Sequence, residues 1–144
     1  MKYKPSYRAS LSTEEIQAKL QAAGVQPTLQ RIAICKYVLC EADHPTAEQV
    51  KEWAEENLEK ISQATVYNTL NTLVEAKLLR IFKFPHSEKV IYDNNIHNHY
   101  HFLDESSGNL YDIETKDVSI NMEIPSKFTV NSMEVVFKGQ IKAT

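Results

Sequence analysis

The spacing of apolar residues changes once along this chain, near Leu79, from the three-and-four rhythm of helices to the alternation of strands. Ahead of that point four amphipathic helices are predicted. Ser12 with Glu15 three residues later forms a capping box, and Gly24 stops the helix they open. Pro27-Thr28 starts a second helix carrying Leu29, Ile32, Cys35 and Leu39, which Asp43-His44-Pro45 breaks. Thr46 with Gln49 makes another capping box before Ala47, Val50, Ala54 and Leu58. Ser62 caps the fourth helix, whose Val66, Leu70, Leu73, Val74 and Leu78 face a core.

The other face of the fourth helix carries Gln63, Ala64, Tyr67, Asn68, Asn71 and Thr72, with no acid before Glu75. A face that is merely solvated usually carries Glu and Lys. Amides without acids suit the major groove, where Asn and Gln pair bidentately with adenine. Beyond the switch, Leu79 to Phe84 and Lys89 to Asp93 alternate about Pro85-His86-Ser87, a hairpin made basic by Arg80, Lys83 and Lys89. Helix, helix, recognition helix and hairpin is the order of a winged helix-turn-helix. Tyr67 and Asn68, with Gln63 beside them, are expected to meet bases, and Arg31, Arg80, Lys83 and Lys89 to meet phosphates.

Charge does not forbid this partner. The net charge of −3 hides an asymmetry: residues 1–92 hold 12 Lys+Arg against 11 Asp+Glu, and residues 93–144 hold 4 against 8. A near-neutral half can bind DNA where its basic groups cluster. No run of 18 apolar residues spans a membrane, and Met1 to Ser10 lacks an apolar signal segment. Cys35 and Cys40, five apart in a helical pattern, fit neither a disulfide framework nor a zinc knuckle, so a reducing cytoplasm is the expected location.

Past a polar stretch at Asn94 to Asn98, strands are expected over Tyr100 to Leu103 and Leu110 to Ile113, turning at Ser106-Ser107-Gly108-Asn109. Thr115 to Met122 is ambiguous, with a short helix as one reading. Phe128 to Lys138 alternates as a strand with an irregularity near Asn131-Ser132. This half is too small to bury a good core alone, and pairing with a second copy is the simplest remedy. A twofold homodimer also matches a palindromic operator on double-stranded DNA.

Three of the five histidines, His97, His99 and His101, fall within five residues. His99 and His101 are two apart on a predicted strand, so their rings leave the same face. Asp93 precedes them and Asp112 lies on the next strand. Imidazoles with carboxylates suit Fe2+, Mn2+ or Zn2+ and not Cu+. Incidental histidines on a polar strand are the plainer alternative, which the density of histidine disfavours. His86 reads as exposed and inert; His97 is either a second-site ligand or a linker histidine.

Four segments together resemble the ferric uptake regulator family: Gly24-Val-Gln-Pro-Thr-Leu-Gln-Arg31, His44-Pro-Thr-Ala-Glu48, Ile61-Ser-Gln-Ala-Thr-Val-Tyr-Asn-Thr-Leu70 and His99-Tyr-His101, over roughly Leu11 to Gly139. The resemblance implies an α+β fold, with a winged helix-turn-helix domain over residues 1–92, a hinge at 93–98 and a small α/β dimerisation domain at 99–144. It implies one regulatory metal held by His44, Asp93, His99, His101 and Asp112. Asp112 and Asn68 resemble the family's peroxide-sensing branch, in which bound Fe2+ lets peroxide oxidise a ligand histidine, His44 or His99 here. A repressor responding to iron, manganese or zinc without redox chemistry is the nearest alternative. A non-haem iron enzyme is a further one, disfavoured because five protein ligands leave little room for substrate, and a metal-independent winged-helix interaction module is a third. One departure is large. The structural zinc of most relatives needs two Cys-x-x-Cys pairs, but Asp104, Ser107, Ile141 and Thr144 stand at those positions, so no four-cysteine zinc site is expected.

Overall fold

Side-chain capping sets the start of every predicted helix in the computed structural model, which describes residues 10–83 and 88–143. At the start of α1 (Thr13–Ala22) the Ser12 hydroxyl accepts from the Glu15 amide at 3.1 Å, and the Ser12 amide donates to the Glu15 carboxylate at 3.2 Å. Gly24 takes a φ of +76°, which lets its own amide and that of Val25 return to the carbonyls of Gln21 and Leu20. Thr28 caps α2 (Leu29–Lys36), Thr46 and Gln49 form the box that opens α3 (Ala47–Asn57), and Ser62 caps α4 (Gln63–Glu75).

Helix α2 does not simply run on to its break. It widens into a π-helical turn, Tyr37–Glu41, closed by the Ala42 amide on the Tyr37 carbonyl at 2.8 Å. Leu29, expected on the apolar stripe, is 87% exposed, because it opens the first turn of α2 outside the packed region. Ile32, Cys35 and Leu39 are buried as expected. They join Ile16 and Leu20 of α1, Val50 and Ala54 of α3, and Val66, Leu70 and Leu73 of α4 in one core. Both cysteines are thiols, and burial pushes the Cys35 thiol up to about 12, so it is inert at neutral pH.

The hairpin pairs β1 (Arg80–Lys83) with β2 (Val90–Asp93), with Arg80 opposite Asp93. Phe84 and the turn residues Pro85, His86 and Ser87 lie outside the described residues, as does the reading of His86. Strand β2 is fastened to the start of α3 by the Tyr92 amide on the Pro45 carbonyl, 2.8 Å, and by a bridge between Thr46 and Ile91.

Backbone contacts divide the chain after Ile96 into two units. In the second, β3 (His99–Asp104) is central, antiparallel to β4 (Leu110–Glu114) and parallel to β5 (Val136–Gly139). The ambiguous stretch after β4 holds one short 3-10 turn, Thr115–Asp117. The long strand expected from Phe128 is a correction: only its end forms, as β5. The Val135 carbonyl accepts from the His101 amide at 3.0 Å, but among the described residues 128–134 pair with no strand, and Phe128, Val130 and Met133 stay about half exposed. No helix among the described residues is long and apolar enough to cross a membrane.

Candidate metal centre and nucleic-acid interface

Alternation along β3 sends His99 and His101 from one face, and their rings meet edge to face with centroids 4.6 Å apart. Their Nε2 atoms are 3.0 Å apart. Asp112 is the cross-strand partner of His101, and its Oδ1 lies 3.4 Å from His99 Nε2 and 3.6 Å from His101 Nε2. All three side chains are at least nine-tenths buried. Nitrogen and carboxylate donors thus converge on one point from two paired strands. Burial of such groups without compensation is costly, and a divalent cation of the Fe2+, Mn2+, Zn2+ class satisfies this donor set.

The orientation of His99 is set from behind. Its Nδ1 donates to the His97 carbonyl at 2.6 Å, which turns Nε2 toward Asp112. His97 therefore contributes its backbone here, and its side chain lies in an exposed position. Nothing in the residue type announces a carbonyl role.

Residues 10–96 hold a second convergent pair. His44 Nε2 stands 3.6 Å from Asp93 Oδ2, with both side chains buried. The pair exists because the segment before α3 is laced to β2 through Pro45 and Thr46, one residue beyond His44 and one before Asp93. Asn94 and Asn95, read from sequence as linker, are held in this unit. Asn94 Nδ2 donates to the carbonyls of Val38 and Ala42, at 3.1 and 2.9 Å, which the π-helical turn leaves available. The Asn95 amide donates to Asp93 Oδ1 at 2.9 Å and steadies that carboxylate.

On α4, Gln63 and Asn68 are exposed and Tyr67 is half-buried. The Tyr67 hydroxyl donates to Glu48 Oε1 at 2.9 Å, and that bond, first among the causes, raises the phenol above its usual value. Sequence reading missed Glu48, which is 19 residues away on α3. Arg31 opens α2 with Nη1 donating to the Gln26 carbonyl at 2.9 Å. Arg80, Lys83 and Lys89 are exposed on or beside the hairpin, and Lys83 Nζ lies 3.9 Å from the Glu88 carboxylate.

Of the four positions where the family resemblance implies zinc-binding cysteines, Asp104 and Ser107 carry oxygen here. Ser107 Oγ donates to Asp104 Oδ2 at 2.8 Å, and the Ser106 amide donates to Asp104 Oδ1 at 3.1 Å. The Glu105 amide donates to the Gly139 carbonyl at 2.8 Å, tying this turn to the end of β5. Ile141 offers only hydrocarbon, and Thr144 lies outside the described residues. These groups do not fit a four-thiolate zinc.

The sequence model of the ferric uptake regulator family matches residues 22–138. The chain belongs to this family. One member, the peroxide-responsive repressor PerR of Staphylococcus aureus, is 35% identical over 101 residues, which span 70% of this chain and 68% of that one. The ferric uptake regulator of Vibrio cholerae shares the fold with a TM-score of 0.64 and 21% identity, over 87% of this chain and 98% of that one. The regulator of Pseudomonas aeruginosa, solved with manganese, gives 0.63 and 21% over 88% and 98%. PerR of Streptococcus pyogenes gives 0.51 and 24% over 94% and 95%. The α+β fold expected from sequence, with helices first and a small mixed unit after, is the family's fold.

Proposed function

We propose that the protein is a metal-dependent transcriptional repressor that binds a palindromic operator as a homodimer and releases it when hydrogen peroxide oxidises a metal-ligand histidine. The observation that carries the reading is the convergence of His99, His101 and Asp112 at 3.0–3.6 Å, next to a likeness of 35% to a peroxide-responsive repressor. His44 and Asp93 complete a five-ligand set, as family membership implies for these positions. In this reading metal binding and operator binding reinforce one another.

Each part of the chain has a defined task in this reading. Asn68 and Tyr67 of α4 address base edges, while Arg31, Arg80, Lys83 and Lys89 address phosphates. Exposed apolar groups of the second unit, Phe128, Val130 and Met133 among them, are the surface that a second copy covers. Bound Fe2+ would lend one electron to cleave peroxide and regain it from the oxidised imidazole, so that the ring is the net two-electron donor. One peroxide oxygen is added to the imidazole of His44 or His99, and the other leaves as water. An oxidised imidazole is a poor ligand, so the five-ligand set fails and the operator is released.

The test is anaerobic loading with Fe2+, addition of peroxide, and intact and peptide mass measurement with operator binding followed in parallel. One added oxygen on a His44 or His99 peptide, with loss of binding, is the expected outcome. A protein that gains no oxygen and stays on its operator is a metal-level repressor instead.

A further inference from the structure

His44 differs from His99 in what stands behind its ring. The Nδ1 of His99 meets a neutral backbone carbonyl, whereas the Nδ1 of His44 lies 2.6 Å from a carboxylate oxygen, Asp43 Oδ1. The His44 side chain is 6% exposed and that of Asp43 45%, so the bond joins a buried ring to a carboxylate at the surface. His44 also holds a φ of +48°, a left-handed conformation uncommon for residues other than glycine. Both its flanks are held: the π-helical turn closes on Ala42 just before it, and Pro45 and Thr46 are bonded to β2 just after it.

Backbone constraint places the ring near Asp93 but does not choose its tautomer. An imidazole fixed at Cα can still protonate either nitrogen, and only the Nδ1–H form directs the Nε2 lone pair toward Asp93, 3.6 Å away. We propose that Asp43 is a positioning residue for the metal centre, which accepts the Nδ1 hydrogen of His44 and so commits Nε2 to the metal. The proposal rests on the metal-centre reading given above. A carboxylate behind a ligand histidine fixes its orientation and raises its basicity, and loss of such a partner lowers metal affinity about 10–100-fold. Asp43 thereby strengthens His44 as a ligand through a charged acceptor behind its ring.

The experiment compares wild type with Asp43→Asn, Asp43→Ala and His44→Ala as full-length proteins, with Mn2+ as the probe in calorimetry. Asp43→Ala is expected to weaken Mn2+ binding about 10–100-fold. Asp43→Asn, whose amide oxygen still accepts a hydrogen bond, should fall between it and wild type. Nitrogen NMR of the metal-free proteins supplies a readout that a merely structural role would not move: His44 carries its proton on Nδ1 in wild type and becomes a tautomer mixture in Asp43→Ala. Wild-type Mn2+ affinity in both Asp43 variants, with His44→Ala weakened, overturns the role of Asp43 and leaves the metal centre standing. Wild-type affinity in His44→Ala removes His44 from the ligand set and overturns the proposal with it, while the centre of His99, His101 and Asp112 stands. An unchanged His44 tautomer in Asp43→Ala overturns the proposal on its own.

Discussion

The Nε2 atoms of His99 and His101 stand 3.0 Å apart on one face of β3, with the Asp112 carboxylate beside both. Neither histidine belongs to the helical core of the first unit, so each can be removed without disturbing that packing. His99→Ala and His101→Ala are expected to abolish metal-dependent operator binding while leaving the helical circular dichroism signal unchanged. Operator binding by the metal-free wild type that equals the loaded form would defeat the reading, and a binding isotherm with and without Mn2+ decides it.

Readout and affinity on the DNA side should separate by residue. Asn68→Ala should cost about 1–3 kcal/mol on the operator and change which base is preferred. Arg80→Ala or Lys89→Ala should weaken operator and random DNA alike and reduce the salt slope by about one. Because the Tyr67 hydroxyl already donates to Glu48, any contact it makes with DNA would use it as an acceptor. Tyr67→Phe and Glu48→Ala should therefore be non-additive when combined, as titrations with labelled operator would show.

Most of this architecture was legible because its signals are local. A capping residue and its partner sit three positions apart, and alternation on a strand fixes which side chains share a face; hence Ser12, Thr46, His99 and His101 could be placed from sequence. Some misses are non-local, and others are hydrogen bonds between near neighbours. Leu29 fits a helical stripe by spacing, yet the stripe says nothing of where the neighbouring helices stop. The strand expected from Phe128 has the right alternation, but before Val135 it meets no partner strand among the described residues. Glu48, Asp43 and the His97 carbonyl act through single hydrogen bonds, and no residue pattern encodes those. Membership of His44 in the ligand set came from family resemblance, since one histidine before a proline carries no metal signal.

Zinc content gives an independent check on the second unit. Asp104 and Ser107 bond to each other where thiolates would be required, so the purified protein should retain no zinc after chelator treatment. It should still sediment as a dimer, held by the apolar surface that includes Phe128 and Val130. Phe128→Asp should shift it to monomer and lower operator affinity. One chelator-resistant zinc per chain would show another ligand set, and a wild-type monomer at micromolar concentration would remove the dimer.

Asp112 sets the sharpest test of peroxide sensing. It lies opposite His101 in the β3–β4 ladder, so the strands fix its Cα and the side-chain length alone decides where the carboxylate reaches. One added methylene moves the oxygens relative to His99 and His101 without changing charge or donor type. Asp112→Glu should keep a metal and bind the operator, but the altered approach should suppress oxidation of His44 or His99. Wild type and variant are loaded with Fe2+ without oxygen, exposed to peroxide and digested for peptide mass. Oxygen on a ligand-histidine peptide in wild type, and far less in the variant, is the expected result. Equal oxidation in both would assign peroxide sensitivity elsewhere than to the length of this carboxylate.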